Sequence, residues 1–156
     1  MLRIGHGFDS HAYINDPDRP LVLGGVTIEA MFALDGHSDS DVVIHACIDS
    51  LLGPTGLGDI GTLFPDINPA YRNADSLELL RHTVNVLKKD GWDTVNIDCS
   101  VIARLPKIQP YRELMESKIS EVVQAPVTVK GKSTEGLDNV KGIACFAVSL
   151  LSKSDG

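Results

Sequence analysis

Leu21-Val22-Leu23-Gly24-Gly25-Val26-Thr27-Ile28 is the stretch on which the fold turns. Two short apolar runs flank a glycine pair, the pattern of two antiparallel strands joined by a tight turn. Elsewhere strands and helices interleave as in a βαβ repeat, and this early hairpin breaks the repeat. The expectation is therefore an α+β fold. It is one two-layer domain over residues 1–156, with helices packed on one face of a mixed β-sheet and an N-terminal β-hairpin.

Upstream of the hairpin, Arg3 to Tyr13 reads as a strand interrupted by Gly5 and Gly7. Downstream, a helix is expected from about Asp39 to Leu52. Ser38 is its N-cap and Asp41 the capping-box partner, with Asp39 and Asp41 favouring the positive end of the helix dipole. Gly53-Pro54 stops it. Gly56-Leu57-Gly58-Asp59-Ile60-Gly61 is too rich in glycine for regular structure, and Leu63-Phe64-Pro65-Asp66 continues that loop. Asp75-Ser76 opens a second helix with Leu77, Leu80, Val84 and Leu87 on one stripe, Lys88-Lys89 in its last turn and Gly91 at its end. Val95, Ile97, Cys99, Val101 and Ala103 alternate with polar residues, as in a strand with one buried face. Pro110 starts a third helix with Tyr111, Leu114, Met115, Ile119 and Val122 inward, closed by Pro126. Val127-Thr128-Val129-Lys130 is a short strand. Ile143 to Leu151 is almost wholly apolar, as in a central strand buried on both faces.

The chain has 156 residues, 14 Lys and Arg against 21 Asp and Glu, and a net charge of −7. An acidic chain of this kind is not drawn in bulk to nucleic acid or to anionic membranes. A phosphate ligand would have to be held by local devices: metal ions, backbone N–H groups or a few placed cations. No apolar run reaches the ~18 residues of a membrane span. Cys47, Cys99 and Cys145 form no CxxC pair and read as buried, reduced thiols. Met1-Leu2-Arg3-Ile4 leads straight into patterned sequence, so no targeting peptide is expected. These features suit a cytoplasmic protein, or one of a plastid-type organelle if a transit segment has been removed.

Three clusters could carry chemistry. Asp9 and His11 are two apart on a strand and share a face. His45 lies on the first helix among apolar neighbours, with Asp41 and Asp49 one turn either side. If that helix face meets the strand, Asp9, His11 and His45 make three N/O donors with a fourth position open, as in a non-structural Zn²⁺ site. Asp41 or Asp49 would orient an imidazole from behind. The plainer reading is that Asp-x-His pairs are common and helix carboxylates form a solvated face. The glycine loop around Asp59 could let backbone approach a ligand, but it is neither a Walker A sequence nor a dinucleotide fingerprint, and a simple loop explains it as well. Lys107 could meet a phosphate or sit on the surface. Ser133-Thr134-Glu135 could hold phosphate and a hard cation such as Mg²⁺, or form a turn. His6 has the wrong strand parity to join Asp9, and His82 is expected on an exposed helix face.

Arg3-Ile4-Gly5-His6-Gly7-Phe8-Asp9-Ser10-His11, Leu23-Gly24-Gly25-Val26, His37-Ser38-Asp39-Ser40-Asp41-Val42, Gly58-Asp59-Ile60-Gly61, Leu63-Phe64-Pro65-Asp66 and Ala74-Asp75-Ser76 follow one another in order. In these blocks the chain resembles the 2-C-methyl-D-erythritol 2,4-cyclodiphosphate synthase family of the non-mevalonate isoprenoid pathway, over about residues 2–151. The resemblance implies a homotrimer with active sites between neighbouring subunits. It also implies a metal-dependent, CMP-releasing lyase acting on 4-diphosphocytidyl-2-C-methyl-D-erythritol 2-phosphate. Asp9, His11 and His45 match Zn²⁺ ligands, and Glu135 matches the carboxylate on a second ion, Mg²⁺ or Mn²⁺, shared with the substrate diphosphate. Asp9, His11, His37, Ser38, Asp59, Ile60, Gly61, Phe64, Pro65 and Asp66 match substrate contacts. Ala103, Pro106, Lys107, Ile108, Ser133, Thr134 and Glu135 match the cytidine and diphosphate side. His37 and Ser133 match positions that stabilise the transition state.

The chain departs from the family pattern at several places. Lys132-Ser133-Thr134 stands where a run of threonines is common, Arg72 replaces a frequent lysine, and Ile67-Asn68 follows Phe-Pro-Asp where Thr-Asp is usual. Glu135 to Gly142 is short and lacks a Gly-Arg-Gly-Glu-Gly run, and Phe146 replaces a glutamate. In the family these last positions line a cavity on the trimer axis that takes isoprenoid diphosphates, so such binding is expected to be weak or absent here. Two other readings of the residues remain open: a metal-dependent phosphoesterase using the same Asp/His/His set, and a trimeric module that binds a cytidine nucleotide or prenyl diphosphate without turnover.

Overall fold

The computed structural model describes residues 1–65, 68–71, 74–136 and 141–154. Asp66, Arg72 and most of the short segment after Glu135 lie outside the described residues. Strand β1 (Leu2–Ile14) is followed by β2 (Leu21–Leu23), β3 (Val26–Ile28) and β4 (Ala33–Leu34). Then come α1 (Val42–Leu52), a single helical turn α2 (Ile60–Leu63) and α3 (Ser76–Lys89). The chain continues through β5 (Trp92–Ile102), α4 (Arg112–Val123), β6 (Val127–Lys132) and β7 (Gly142–Lys153). The main sheet has the order β4-β1-β7-β5-β6. It is mixed: β7 runs antiparallel to both β1 and β5, and β5 runs parallel to β6. β2 and β3 form a separate antiparallel ribbon.

β1 is continuous through Gly5 and Gly7 rather than interrupted by them. Both glycines face α1 at its closest approach. A Cβ on Gly5 would lie 1.7 Å from the Ser50 carbonyl oxygen, and one on Gly7 1.9 Å from that of Ala46. The missing side chains let the helix lie directly on the strand. Ser149 on β7 completes the contact by donating to the Ser50 carbonyl at 2.7 Å.

α1 begins at Val42, three residues later than expected, because Asp41 and not Ser38 is its N-cap. The Asp41 carboxylate accepts from the backbone N–H groups of Val43 and Ile44. It also accepts from Gly24 and Gly25 at 2.8 and 2.7 Å, clamping the β2–β3 turn onto the helix start. Both glycines have positive φ, 58° and 72°, as a tight turn of this hand requires. Asp41 is fully buried; burial and the neighbouring Asp39 push its carboxyl up to about 6, against the pull of those N–H donors.

Other boundaries also shift. Leu63 belongs to α2, whose start is capped by Asp59. Val95 is 39% exposed because a bulge between Thr94 and Asn96 resets the alternation of β5. Leu114 is half exposed on α4, and that helix ends at Gln124 in left-handed conformation (φ 57°), before Pro126 acts.

α1 packs on β1 and β7, α4 on β6, and α3 against α1 and α4. Cys47, Cys99 and Cys145 are free and buried in this layer, with the Cys47 and Cys99 sulfurs 3.5 Å apart. β7 is central, as expected, but buried on one face only. Ile143, Cys145, Ala147 and Leu151 face the helices, whereas Phe146 and Val148 lie on the bare face with Ile4 and Phe8. His6 is on that face too, and His82 is exposed on α3. No helix among the described residues is long and apolar enough to cross a membrane.

Candidate metal centre and ligand pocket

Asp9 and His11 project from β1 toward the same side as Gly5 and Gly7, so they meet the face of α1 that carries His45. Asp9 Oδ2 lies 3.1 Å from His11 Nε2 and 3.0 Å from His45 Nδ1. The ligand atoms of the three residues all fall within 4.8 Å of one another. One carboxylate oxygen and two imidazole nitrogens around one point is a donor set that fits Zn²⁺ or a similar divalent ion with an open position.

The electrostatics fit as well. Burial alone would raise the Asp9 carboxyl, but hydrogen bonds and charge from His11 and His45 hold it well below the usual carboxylate range. Burial opposes charge on His45, yet the Asp9 carboxylate outweighs it and raises the imidazole above its ordinary 6.5. The Asp9 carboxylate stays ionised, and a cation binding here competes with the proton that Asp9 favours on His45.

Neither helix carboxylate serves the imidazoles as expected. Asp41 is spent on the helix cap and the glycine turn. Asp49 accepts from the Ile60 backbone N–H at 2.8 Å, tying α2 to α1. Instead, His45 Nε2 is approached by two hydroxyls, Ser76 Oγ at 2.9 Å and Ser38 Oγ at 3.1 Å. Ser76 in turn bonds to Asp39 through both its hydroxyl and its backbone N–H. Arg19 is a further residue that the sequence did not flag. One of its guanidinium nitrogens donates to the Gly36 and Ser38 carbonyls at 2.9 and 3.0 Å and to Ser40 Oγ at 2.6 Å. It thereby pins a loop in which Ser38 and Ser40 both have positive φ, 51° and 55°. Tightly bound non-glycine residues in that region cost strain that the surroundings must hold in place.

This loop and the Asp/His/His cluster enclose a cavity of about 220 Å³, lined also by His37, Ile60, Gly61 and Phe64. Phe64 and Tyr71 form an apolar wall with ring centroids 5.2 Å apart. Asp59 stands beside it, its carboxylate accepting from the Thr62 N–H and hydroxyl at 2.7 Å. Pro65 follows Phe64 in the chain and is partly buried.

The remaining candidates gather elsewhere. Ala103, Pro106, Lys107, Ile108 and Ser133 line a second cavity of about 170 Å³. Thr134 is buried next to it. Glu135 is exposed with φ 48°, accepts from the Ser133 hydroxyl, and is not among the residues grouped with His45. Ser10, Ala144, Ile102 and Lys132 form one row across the sheet. The strand positions beside the two clusters thus sit at the same end of the sheet, on strands three inter-strand spacings or roughly 14 Å apart.

Fold and site define a two-layer α+β domain with an Asp/His/His cluster, able to hold a divalent cation, seated where its first strand meets its first helix. A model of the YgbB family matches residues 2–152, and the chain belongs to that family. Proteins named 2-C-methyl-D-erythritol 2,4-cyclodiphosphate synthase are similar over essentially their whole length. That of Bordetella petrii is 47% identical, covering 98% of this chain and 97% of its own. That of Geobacillus thermodenitrificans is 45% identical, covering 99% of each. A solved structure of such a synthase with CDP bound superposes with a TM-score of 0.87 at 34% identity, over 96% of this chain and 100% of the other. The bifunctional IspDF of Campylobacter jejuni gives a TM-score of 0.92 at 35% identity; this chain, 99% covered, spans 43% of that longer one.

Proposed function

We propose that this chain converts 4-diphosphocytidyl-2-C-methyl-D-erythritol 2-phosphate to 2-C-methyl-D-erythritol 2,4-cyclodiphosphate with release of CMP, in the non-mevalonate route to isoprenoid precursors. The observation that carries the reading is the convergence of Asp9, His11 and His45 on one point inside a cavity, in a chain so similar to synthases of that name. An oxygen of the 2-phosphate attacks the β-phosphorus. A new P–O–P bond closes the ring, the bond from the β-phosphorus to the bridging oxygen breaks, and CMP leaves with that oxygen.

Attacking and leaving groups are both anionic, so the barrier is mostly charge repulsion and positioning. Asp9, His11 and His45 would hold Zn²⁺, and Glu135 with the substrate diphosphate would hold Mg²⁺ or Mn²⁺; bound cations there neutralise phosphate charge. His37 and Ser38, on the loop pinned by Arg19, present an imidazole and backbone N–H groups to the erythritol phosphate. Ile60, Gly61 and Phe64 shape the pocket around the erythritol carbons, with Asp59 and Pro65 next to them in the chain; Asp66 is assigned to the substrate by the resemblance alone. Lys107 supplies a cation and Ser133 a hydroxyl to the diphosphate, while Ala103, Pro106 and Ile108 border the cytidine. No protein nucleophile is required.

The exposed apolar residues Ile4, Phe8, Phe146 and Val148 on the bare sheet face, with the metal and cytidine clusters in separate cavities, support a homotrimer in which each site takes its metal half from one subunit and its cytidine half from the next. Phosphorus NMR of the reaction mixture tests the reading. Cyclic diphosphate with CMP supports it, inorganic phosphate would instead mark a phosphoesterase, and substrate left intact with the chain bound would mark a binding module.

A further inference from the structure

We propose that Ser76, held by Asp39, is the positioning residue of His45 and fixes which of its ring nitrogens faces the metal. The inference rests on the reading of Asp9, His11 and His45 as a metal site.

Ser76 is fully buried at the first position of α3. Its hydroxyl donates to Asp39 Oδ1, and its backbone N–H donates to Asp39 Oδ2 at 2.9 Å. A serine hydroxyl has one proton and two lone pairs. With that proton committed to a carboxylate, Ser76 Oγ can only accept from His45 Nε2, 2.9 Å away. The proton between them therefore belongs to the ring, on Nε2. A neutral imidazole protonated there presents its lone pair at Nδ1, the atom facing Asp9.

The arrangement is a carboxylate–hydroxyl–imidazole series behind a metal ligand. It is related to the direct carboxylate contact that often orients ligating histidines, with one hydroxyl interposed. It also joins two elements. Asp39 accepts from the Asp41 N–H at 3.2 Å, at the N-cap of the helix carrying His45. Through Ser76 it holds the start of α3 against the same point. Ser38 Oγ, at 3.1 Å from Nε2, is a second acceptor on the same side.

The test is the zinc dissociation constant of the full chain, measured by competition with a chromogenic chelator, and the visible spectrum of the Co²⁺-loaded protein. Ser76→Ala should weaken zinc about 10- to 100-fold and change the Co²⁺ spectrum, because His45 is free to rotate. Asp39→Asn, which keeps the shape but removes the carboxylate, should weaken it in the same direction and decides the matter if Ser76→Ala does not fold. Asp75→Ala is the control. Asp75 caps the same helix by accepting from the Leu77 N–H at 2.9 Å but touches neither His45 nor Asp39. It should lower thermal stability and leave zinc affinity and spectrum as in the parent chain. Zinc affinity within about threefold of the parent in both Ser76→Ala and Asp39→Asn, or an equal loss in Asp75→Ala, overturns the inference. A parent chain that binds no zinc overturns the metal reading itself, a separate result.

Discussion

Gly7 on β1 and Ala46 on α1 are in such close apposition that a methyl group on the glycine would come within 1.9 Å of the alanine carbonyl oxygen. Two residues beyond Gly7 is Asp9, and next to Ala46 is His45. The contact that lets helix lie on strand is therefore also the contact that brings two candidate metal ligands to 3.0 Å. Gly7→Ala must push α1 away, since the obstructing atoms are backbone. Overpacking of this kind costs about 1–3 kcal/mol or more. The expected outcome is a lower midpoint in chemical denaturation together with weaker zinc binding. Loss of stability with unchanged zinc affinity would separate the two effects and refute the coupling.

His45→Ala removes one of three donors and leaves the buried hydroxyls of Ser38 and Ser76 facing a void. Bound zinc and cyclisation should disappear together. Elemental analysis of the purified variant is the check: full zinc occupancy would sink the Asp9/His11/His45 assignment.

The pH dependence follows from the directions of the shifts. The Asp9 carboxyl is held below its ordinary 3.8, so its contribution is present above that value and is lost as acid protonates it. The His45 imidazole is raised above 6.5, so its contribution is present below that value and is lost as pH rises through the raised one. Metal-free protein should therefore gain most from this pair between 3.8 and 6.5. A cation must displace the His45 proton, so zinc affinity should rise across the upper limb. Chelator competition over a pH series reads this directly, and an affinity that is flat from about pH 5.5 to 8 would contradict it.

Some of this was legible in the chain and some was not. The alternation of residues 97–101, the stripe of α3 and the glycine turn at 24–25 are local patterns, and they appear in the structure where the sequence puts them. Asp9, His11 and His45 could be paired because strand parity and an apolar helix face both pointed inward. Gly5 and Gly7 were misread as interruptions because their cause lies 39 and more residues away, on α1. Asp41 was misassigned for the same reason: its glycine donors belong to another element. Phe146 and Val148 looked like core because apolarity does not say which face of a strand is covered. Arg19 carries no local signal, and Ser76, legible as a helix start and as part of the Ala74-Asp75-Ser76 block, carries none that points to His45. Each acts by a hydrogen bond to a residue 17 to 37 positions distant.

The Phe146 and Phe8 rings meet at a tilt on the bare sheet face with centroids 4.8 Å apart, and Phe146 adds apolar bulk where the resemblance implies a carboxylate. Lys141 is a point-charge cation without the planar fork that grips two phosphate oxygens. Residues 137–140 lie outside the described residues. Farnesyl or geranyl diphosphate should therefore bind weakly or not at all on the axis of an assembled protein. Calorimetric titration with the active sites saturated by CDP tests this; tight binding of one prenyl diphosphate per assembly would refute it.

The same face leads to the prediction about assembly. Ile4, Phe8, Phe146 and Val148 are 75%, 46%, 40% and 45% exposed on adjacent strands, a contiguous apolar surface on an otherwise acidic chain. Fully burying a large apolar side chain contributes about 1.5–3 kcal/mol, and part of that remains to be gained at each of these half-exposed residues if copies of the chain cover the face, as the proposed homotrimer would. Sedimentation should give about three times the 16.8 kDa chain mass. Val148→Asp should shift it toward single chains, because an unpaired carboxylate cannot be buried there without a large penalty. Activity should fall with it if the His45 cluster and the Ser133 cluster of each site come from different subunits. Mixing settles that last point. His45→Ala and Ser133→Ala chains should each be impaired alone. Dissociated and reassembled together, they should regain about a quarter of the parent activity, since that share of interfaces joins an intact metal half to an intact cytidine half in a symmetric ring. No recovery from well-mixed trimers would place the whole site within one chain and refute the shared-site reading.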